Sequence, residues 1–101
     1  MYIHSYILKN MKFEWDENKN KTNIRIHDID FRDAHLAFDH PMLLKIDNRK
    51  DYGEERWIGL GKLYDAVVVI VFTKRNDKVR IISIRRANRN ERKIYEEKFQ
   101  E

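Results

Sequence analysis

Basic residues are concentrated in the stretch RIISIRRANRNERK and in the residues just before it. Between Lys74 and Lys93 the sequence has nine Lys or Arg residues and two acidic ones, a local charge of +7 in a chain whose net charge is +4. Six of the nine are Arg, whose planar guanidinium binds phosphate oxygens in pairs and stacks on bases. A solvated surface is the simpler explanation of a basic stretch, but this composition favours a partner that carries phosphate.

Two further kinds of side chain could take part in chemistry on a phosphate. In GEERW (53–57), Glu54 and Glu55 either form cross-strand ion pairs with the arginines or supply a general base beside a phosphate clamp. His27 is predicted to end a helix, where the dipole favours its cation, so it either packs there or donates to a phosphate or a leaving oxygen. The residues alone leave these alternatives open.

Several classes of function are excluded or made improbable by composition. The chain has no Cys, so disulfides, thiolate zinc sites and Cys nucleophiles are absent. It has three Gly and no Gly-rich phosphate loop, and its His spacing is not typical of a metal site, so no cofactor or metal is predicted. The longest apolar run, 66–72, is too short to span a bilayer, and the N-terminus is a poor signal peptide. We therefore expect a soluble, cytoplasmic protein.

These residues must be positioned by one domain over residues 12–101, since 101 residues support a single modest core. Residues 1–11 are interpreted as an extension or an alternative start at Met11, with an alternation that could add an edge strand.

Asp16 and Asp30 are predicted N-caps of two helices, the first ending at His27 with Asp28 in the terminating turn. Four strands joined by short polar turns follow, and then a helix capped by Asn88 and Glu91, which predicts an α+β fold.

The last strand, KVRIISIRR, is predicted to alternate without interruption. This pattern puts Val79, Ile81, Ser83 and Arg85 on one face and Arg80, Ile82, Ile84 and Arg86 on the other. Each face of the sheet would then end in an arginine, at a point where a strand meets a loop.

Taken in order, the motifs resemble those of the BrnT toxins of bacterial type II toxin-antitoxin systems. The motifs are FEWD (13–16), K-x-x-x-N-x-R-x-H (19–27), GEERWIGLG (53–61) and RIISIRRA (80–87). The resemblance implies a RelE-like fold, with two N-terminal helices, a four-stranded antiparallel sheet and a C-terminal helix. It also implies an RNA endonuclease that inhibits translation and is neutralised by a BrnA-type antitoxin, through which the complex would bind operator DNA.

Metal-independent RNA cleavage needs a base, cations that stabilise the phosphorane, and an acid for the leaving oxygen. We expect Glu55, or Glu54, to be the base and His27 or a neighbouring Arg to be the acid. The expected phosphate clamp consists of Arg56, Arg80 and Arg85. Further RNA contacts are expected at Lys19, Arg75, Arg86 and Trp57, with Tyr64 as another stacking candidate.

Two alternatives accompany this assignment. Trp57 is equally well explained as a core residue. The whole basic surface would also suit a non-catalytic module that binds nucleic acid or an acidic partner protein.

Overall fold

A computed structural model describes residues 2–3 and 11–99 of the chain. Helix α1 spans Glu17–His27, a 3-10 turn at Phe31–Asp33 runs into the short helix α2 at Ala34–Ala37, and α3 spans Arg89–Lys98. The strands are β1 (Tyr2–Ile3), β2 (Lys12–Trp15), β3 (Met42–Ile46), β4 (Arg56–Leu63), β5 (Ala66–Arg75) and β6 (Lys78–Arg86). They form one sheet in the order β1-β3-β4-β5-β6-β2.

The sheet corrects the predicted RelE-like arrangement. Strands β3 to β6 form the expected antiparallel series, but β2 pairs in parallel with β6 at the outer edge, so the sheet is mixed. The expectation of a four-stranded antiparallel sheet after two N-terminal helices is therefore wrong, because a strand precedes the first helix and joins the far edge of the sheet. The two-residue β1 pairs with β3 at the other edge, and residues 4–10 of the predicted extension lie outside the described part of the chain.

The predicted ends of α1 are confirmed, whereas Asp30 caps the 3-10 turn and not an α-helix. The Asp16 carboxylate accepts hydrogen bonds from the backbone N–H groups of Asn18 and Lys19 at 2.8 and 3.1 Å. Asp28 adopts the left-handed conformation with φ of 57°, and its N–H donates to the carbonyl of Ile24. Asp and Asn tolerate this conformation better than other residues with a Cβ.

Strand β5 separates two packed layers. Val68, Ile70 and Phe72 face α1 and α2, and we call this side of the sheet the α1 face. Val67 and Val69 face α3, and with Thr73, which lies on the same side by alternation, they define the α3 face. The buried pattern from residue 67 to residue 73 confirms that β5 is a central strand covered on both faces.

A β-bulge changes the predicted faces of β6. Phe72 lies opposite Ile81 and Val71 lies opposite Ser83, so Ile82 is an extra residue without a partner on β5. Val79, Ile81 and Ile84 consequently all join the core on the α1 face, and the uninterrupted alternation predicted from the sequence is wrong. The bulge leaves Arg85 on the α3 face and Arg86 on the α1 face.

The outer edge of β6 is completed by a side chain. Strand β2 pairs with β6 only as far as Ile81. Beyond it, the buried Asn23 of α1 donates its amide N–H to the carbonyl of Ile84 at 2.9 Å and accepts from the N–H of Ile84 at 3.1 Å. The same amide donates to the carbonyl of Ile29 at 3.0 Å. Asn23 thus takes the place of a neighbouring strand and fixes α1 to β6.

Strand β6 is also tied to α3. Arg85 donates from Nη1 and Nη2 to the two oxygens of Glu91 at 2.8 and 2.9 Å. Glu91 completes the predicted capping box with Asn88, and 2.8 Å separates donor from acceptor in each of its two hydrogen bonds. Chiefly through its hydrogen bonds, Arg85 lowers the pKa of Glu91 from 4.5 to about 2.

We expect Asn23→Ala to lower the free energy of unfolding by about 3 kcal/mol, because it leaves buried backbone groups of Ile84 and Ile29 without partners. Chemical denaturation followed by circular dichroism measures the change. Asn18→Ala, which removes an exposed amide from the same helix, is the matched control and should change stability by less than about 0.5 kcal/mol. Equal effects of the two substitutions would contradict this role of Asn23.

A second prediction concerns acid stability. Because the pKa of Glu91 is lower in the folded chain, its ion pair stabilises the fold fully above about pH 4.5, and this contribution is lost as the pH falls toward 2. We expect Glu91→Gln to cost about 1 kcal/mol near neutral pH, since the pair is partly exposed. The difference from wild type should shrink at about pH 3. Glu96→Gln on the same helix is the control. A stability difference between Glu91→Gln and wild type that did not change with pH would refute the link between this ion pair and acid stability.

Candidate nucleic-acid site

Four polar residues form one row across the α3 face, on four adjacent strands. Arg56 of β4 lies opposite Thr73 of β5, Thr73 lies opposite Arg80 of β6, and Arg80 lies opposite Glu14 of β2. We call these residues the polar row. Residues directly opposite each other share a face of the sheet, so the two arginines flank Thr73 with their Cα atoms about 10 Å apart. Thr73 is buried and donates from its hydroxyl to the carbonyl of Glu55 at 2.7 Å, which fixes the start of β4.

The two arginines of the polar row have little carboxylate compensation. Arg56 lies over the ring of Tyr52, with 4.0 Å from its guanidinium carbon to the ring centroid. Its Nε is buried and has no hydrogen-bond partner among the described residues. Arg80 has one long hydrogen bond, 3.5 Å from its Nη1 to Oε2 of Glu14. The buried Nε of Arg56 is out of reach of a ligand, but its Nη groups and the other donors of Arg80 have no hydrogen-bond partner among the described residues.

Neighbouring carboxylates are more fully engaged. Glu54 lies in the bend before β4 and accepts from Nε and Nη2 of Arg75 at 3.1 and 3.2 Å, so the predicted ion pair with an arginine of the sheet is present, although Glu54 is not itself on a strand. Asp47 is buried, and both of its oxygens accept from Arg49 at 2.7 Å, which lowers the pKa of Asp47 to about 2. The carboxylate of Glu55 is exposed and has no hydrogen bond or ion pair to the described residues.

Arg85 shares the α3 face but lies away from the polar row. It is opposite Val69, four residues along β5 from Thr73, which corresponds to about 13 Å. Its guanidinium is engaged by Glu91. Of the predicted phosphate clamp, the structure thus brings Arg56 and Arg80 together and places Arg85 in a separate ion pair.

The remaining predicted residues lie on other surfaces. Arg86 is on the α1 face, where its Nη1 donates to the carbonyl of His27 at 2.8 Å, so these two residues are neighbours on the side opposite the polar row. Lys19 is exposed on α1. Trp57 packs against the core of the α1 face, as the alternative interpretation predicted. Tyr64 is 67% exposed in the turn between β4 and β5.

Sequence reasoning missed Glu14 because FEWD was not assigned to a strand. The sequence did contain the signal of a strand, because Phe13 and Trp15 alternate with Lys12 and Glu14. In the structure Phe13 and Trp15 pack on the core. Strand β2 therefore delivers a carboxylate to the polar row. The Lys78 Nζ lies 3.9 Å from the other oxygen of Glu14.

Two further observations concern metals and membranes. Within residues 11–99, no three His, Asp or Glu side chains are grouped so that they could hold a metal ion. None of the helices in the described part of the chain is long and apolar enough to cross a membrane.

Comparison with known proteins identifies the family. A search of curated proteins gives no match. The model of the BrnT family, described as the ribonuclease toxin of type II toxin-antitoxin systems, matches residues 15–91. This segment is most of the chain, and it contains Asn23, Arg56 and Arg80. The chain therefore belongs to the BrnT family of ribonuclease toxins of type II toxin-antitoxin systems.

Proposed function

We propose that this protein is an endoribonuclease that cleaves RNA without a metal ion and thereby inhibits translation. The observation that carries the proposal is the polar row, in which Arg56 and Arg80 lie on either side of Thr73 on one sheet face and are only partly engaged by the described residues. Two preorganised guanidinium groups can stabilise the negative charge that builds up on a phosphate during cleavage.

The setting of the two arginines supports a preorganised site. Arg56 is held against the ring of Tyr52, and the Arg80 side chain is only 27% exposed. Arg56 begins β4 and Arg80 lies near the start of β6, and the contacts of their side chains reduce the conformational entropy that is lost when a phosphate binds. Lys78 and Lys12 lie beside the row and extend the positive potential along the same face.

The structure divides the predicted site residues between two faces. His27 and Arg86 lie on the α1 face, so one phosphate cannot contact them and the polar row together. We therefore assign the phosphate clamp to Arg56 and Arg80. We assign Arg85, through its ion pair with Glu91, the role of holding β6 against α3. We assign Arg86 the role of holding the end of α1.

The partner of a type II toxin is an antitoxin protein. We propose that a BrnA-like antitoxin covers the polar row with acidic side chains, since such groups complement its charge and would block RNA. In this proposal the complex reaches operator DNA only through the antitoxin. We accordingly propose that the protein acts in the cytoplasm, where RNA and the antitoxin would meet it.

RNA cleavage in the presence of EDTA tests the proposal. We expect the purified chain to cut total RNA and to stop a cell-free translation reaction, and we expect Arg56→Ala and Arg80→Ala each to slow cleavage about 100-fold because one preorganised donor group is lost. Products ending in a 2′,3′-cyclic phosphate would identify attack by the 2′-hydroxyl.

Arg89→Ala is the matched control, because Arg89 is an exposed arginine of the same basic stretch, located at the start of α3. It should cleave at the wild-type rate. RNA that stays intact with wild-type protein while still binding it would favour the non-catalytic module. Equal losses in all three variants would point to general electrostatic attraction and away from a built site.

The salt dependence of RNA binding gives an independent prediction. Each phosphate contact on a single strand contributes about 0.7 to the slope of log affinity against log salt concentration. We expect Arg80→Ala to reduce the magnitude of that slope by about 0.7, whereas Arg89→Ala leaves it unchanged. Titration of a fluorescent single-stranded RNA at several salt concentrations measures it, and a slope that Arg80→Ala does not alter would exclude a phosphate contact at Arg80.

A further inference from the structure

We infer that Glu14 is the general base of the cleavage reaction, an inference that rests on the proposed ribonuclease function. Glu14 is in the polar row itself, on the strand that pairs with β6 in parallel. The base expected from the sequence was Glu55 or Glu54, and the geometry around each of these carboxylates favours Glu14 instead.

The first argument is the capacity to accept a proton. Both oxygens of Glu54 receive hydrogen bonds from Arg75, and both oxygens of Glu91 receive hydrogen bonds from Arg85. Asp47 is buried and held twice by Arg49. Glu14 makes a single hydrogen bond, at the long distance of 3.5 Å, and its side chain is 29% exposed. Lone pairs on Glu14 therefore remain accessible.

The second argument is position relative to the phosphate clamp. Arg80 lies directly beside Glu14, so a phosphate held by Arg80 brings its adjoining ribose close to the carboxylate. The carboxylate of Glu55 also has no partner among the described residues, but Glu55 precedes Arg56, on the far side of Thr73 from Arg80. Glu14 combines a place in the row with only long contacts to cations, 3.5 Å to Arg80 on one oxygen and 3.9 Å to Lys78 on the other.

The step balances without a further reagent. Glu14 takes the proton of the ribose 2′-hydroxyl, the 2′ oxygen forms a bond to phosphorus, and the bond from phosphorus to the 5′ oxygen breaks. The leaving 5′ oxygen takes a proton from water, and Glu14 returns its proton to the resulting hydroxide. Arg80 and Arg56 hold the negative charge on the phosphate oxygens throughout.

The alternative is that Glu14 only positions Arg80 and Lys78 through their ion pairs, at 3.5 and 3.9 Å. The two roles differ in which kinetic quantity they affect. Loss of a base lowers the rate of the bound complex and leaves RNA affinity intact, because the carboxylate itself does not attract phosphate. Loss of a positioning group displaces Arg80 and weakens binding as well.

The test compares Glu14→Gln and Glu55→Gln with the wild-type chain on one single-stranded RNA in EDTA, measuring single-turnover rate, dissociation constant and thermal unfolding. For a base at Glu14, we expect the rate of Glu14→Gln to fall at least about 100-fold, with RNA affinity unchanged or tighter. Glu55→Gln should match the wild type. Added formate should restore part of the rate of Glu14→Ala, since it supplies a carboxylate to the vacated space.

Each other outcome is decisive. Full activity of Glu14→Gln, while the wild type cleaves RNA, overturns the inference and leaves the ribonuclease proposal intact. A rate loss that tracks weaker RNA binding, without rescue by formate, assigns Glu14 to positioning and also overturns it. If the wild type itself leaves RNA uncut, the proposed function fails before the question of the base arises. Thermal unfolding identifies a variant that has lost its fold. If Glu14→Gln has lost its fold, Glu14→Asp replaces it. We then expect a reduced rate, and a wild-type rate would contradict the inference.

Discussion

The arrangement of charge in this protein depends on how the edge of β6 is completed. Strand β6 has a neighbour along its whole length on one side, but β2 pairs with it only over residues 78–81 on the other. The Asn23 amide continues that edge by bonding both backbone groups of Ile84. Just before it, the bulge at Ile82 reverses the alternation, so that Ile84 enters the core. The bulge decides which face each later side chain occupies, so that Arg85 and not Arg86 shares the face of Arg80, while the amide fixes α1 to this edge.

Local signals predicted the helices and hairpins well, because the interactions that define them are short in sequence. The Asp16 cap, the left-handed Asp28 and the capping box of Asn88 and Glu91 each involve residues within four positions of one another. The parallel pairing of β2 with β6 joins residues more than sixty positions apart, and no local feature of FEWD specifies it. The bulge escaped prediction for a different reason: in IISI every residue fits an unbroken strand, and only the partner strand reveals the extra one.

The candidate site was predicted in part for the same reasons. Composition indicated that the arginines near residues 80–86 bind phosphate, and Arg56 and Arg80 do meet on one face. What composition could not supply was the pairing of the other charges. Arg49, Arg75 and Arg85 are each engaged by a carboxylate that the fold places within 3.2 Å, so a count of basic residues overstates the charge available to a ligand.

In the proposed ribonuclease, this pairing would limit the registers in which a phosphate chain can bind. If every arginine were free, a phosphate chain would bind in many registers, and its charges would also repel one another across the sheet. Here carboxylates neutralise the arginines that connect structural elements, such as Arg85 between β6 and α3. Arg56 instead faces an aromatic ring, and Arg80 shares a single long hydrogen bond with Glu14. Thr73 is buried between them, so the two cations are held at one separation by the sheet itself. In the proposed site, the strand spacing would therefore set which phosphate geometry the two cations can contact together.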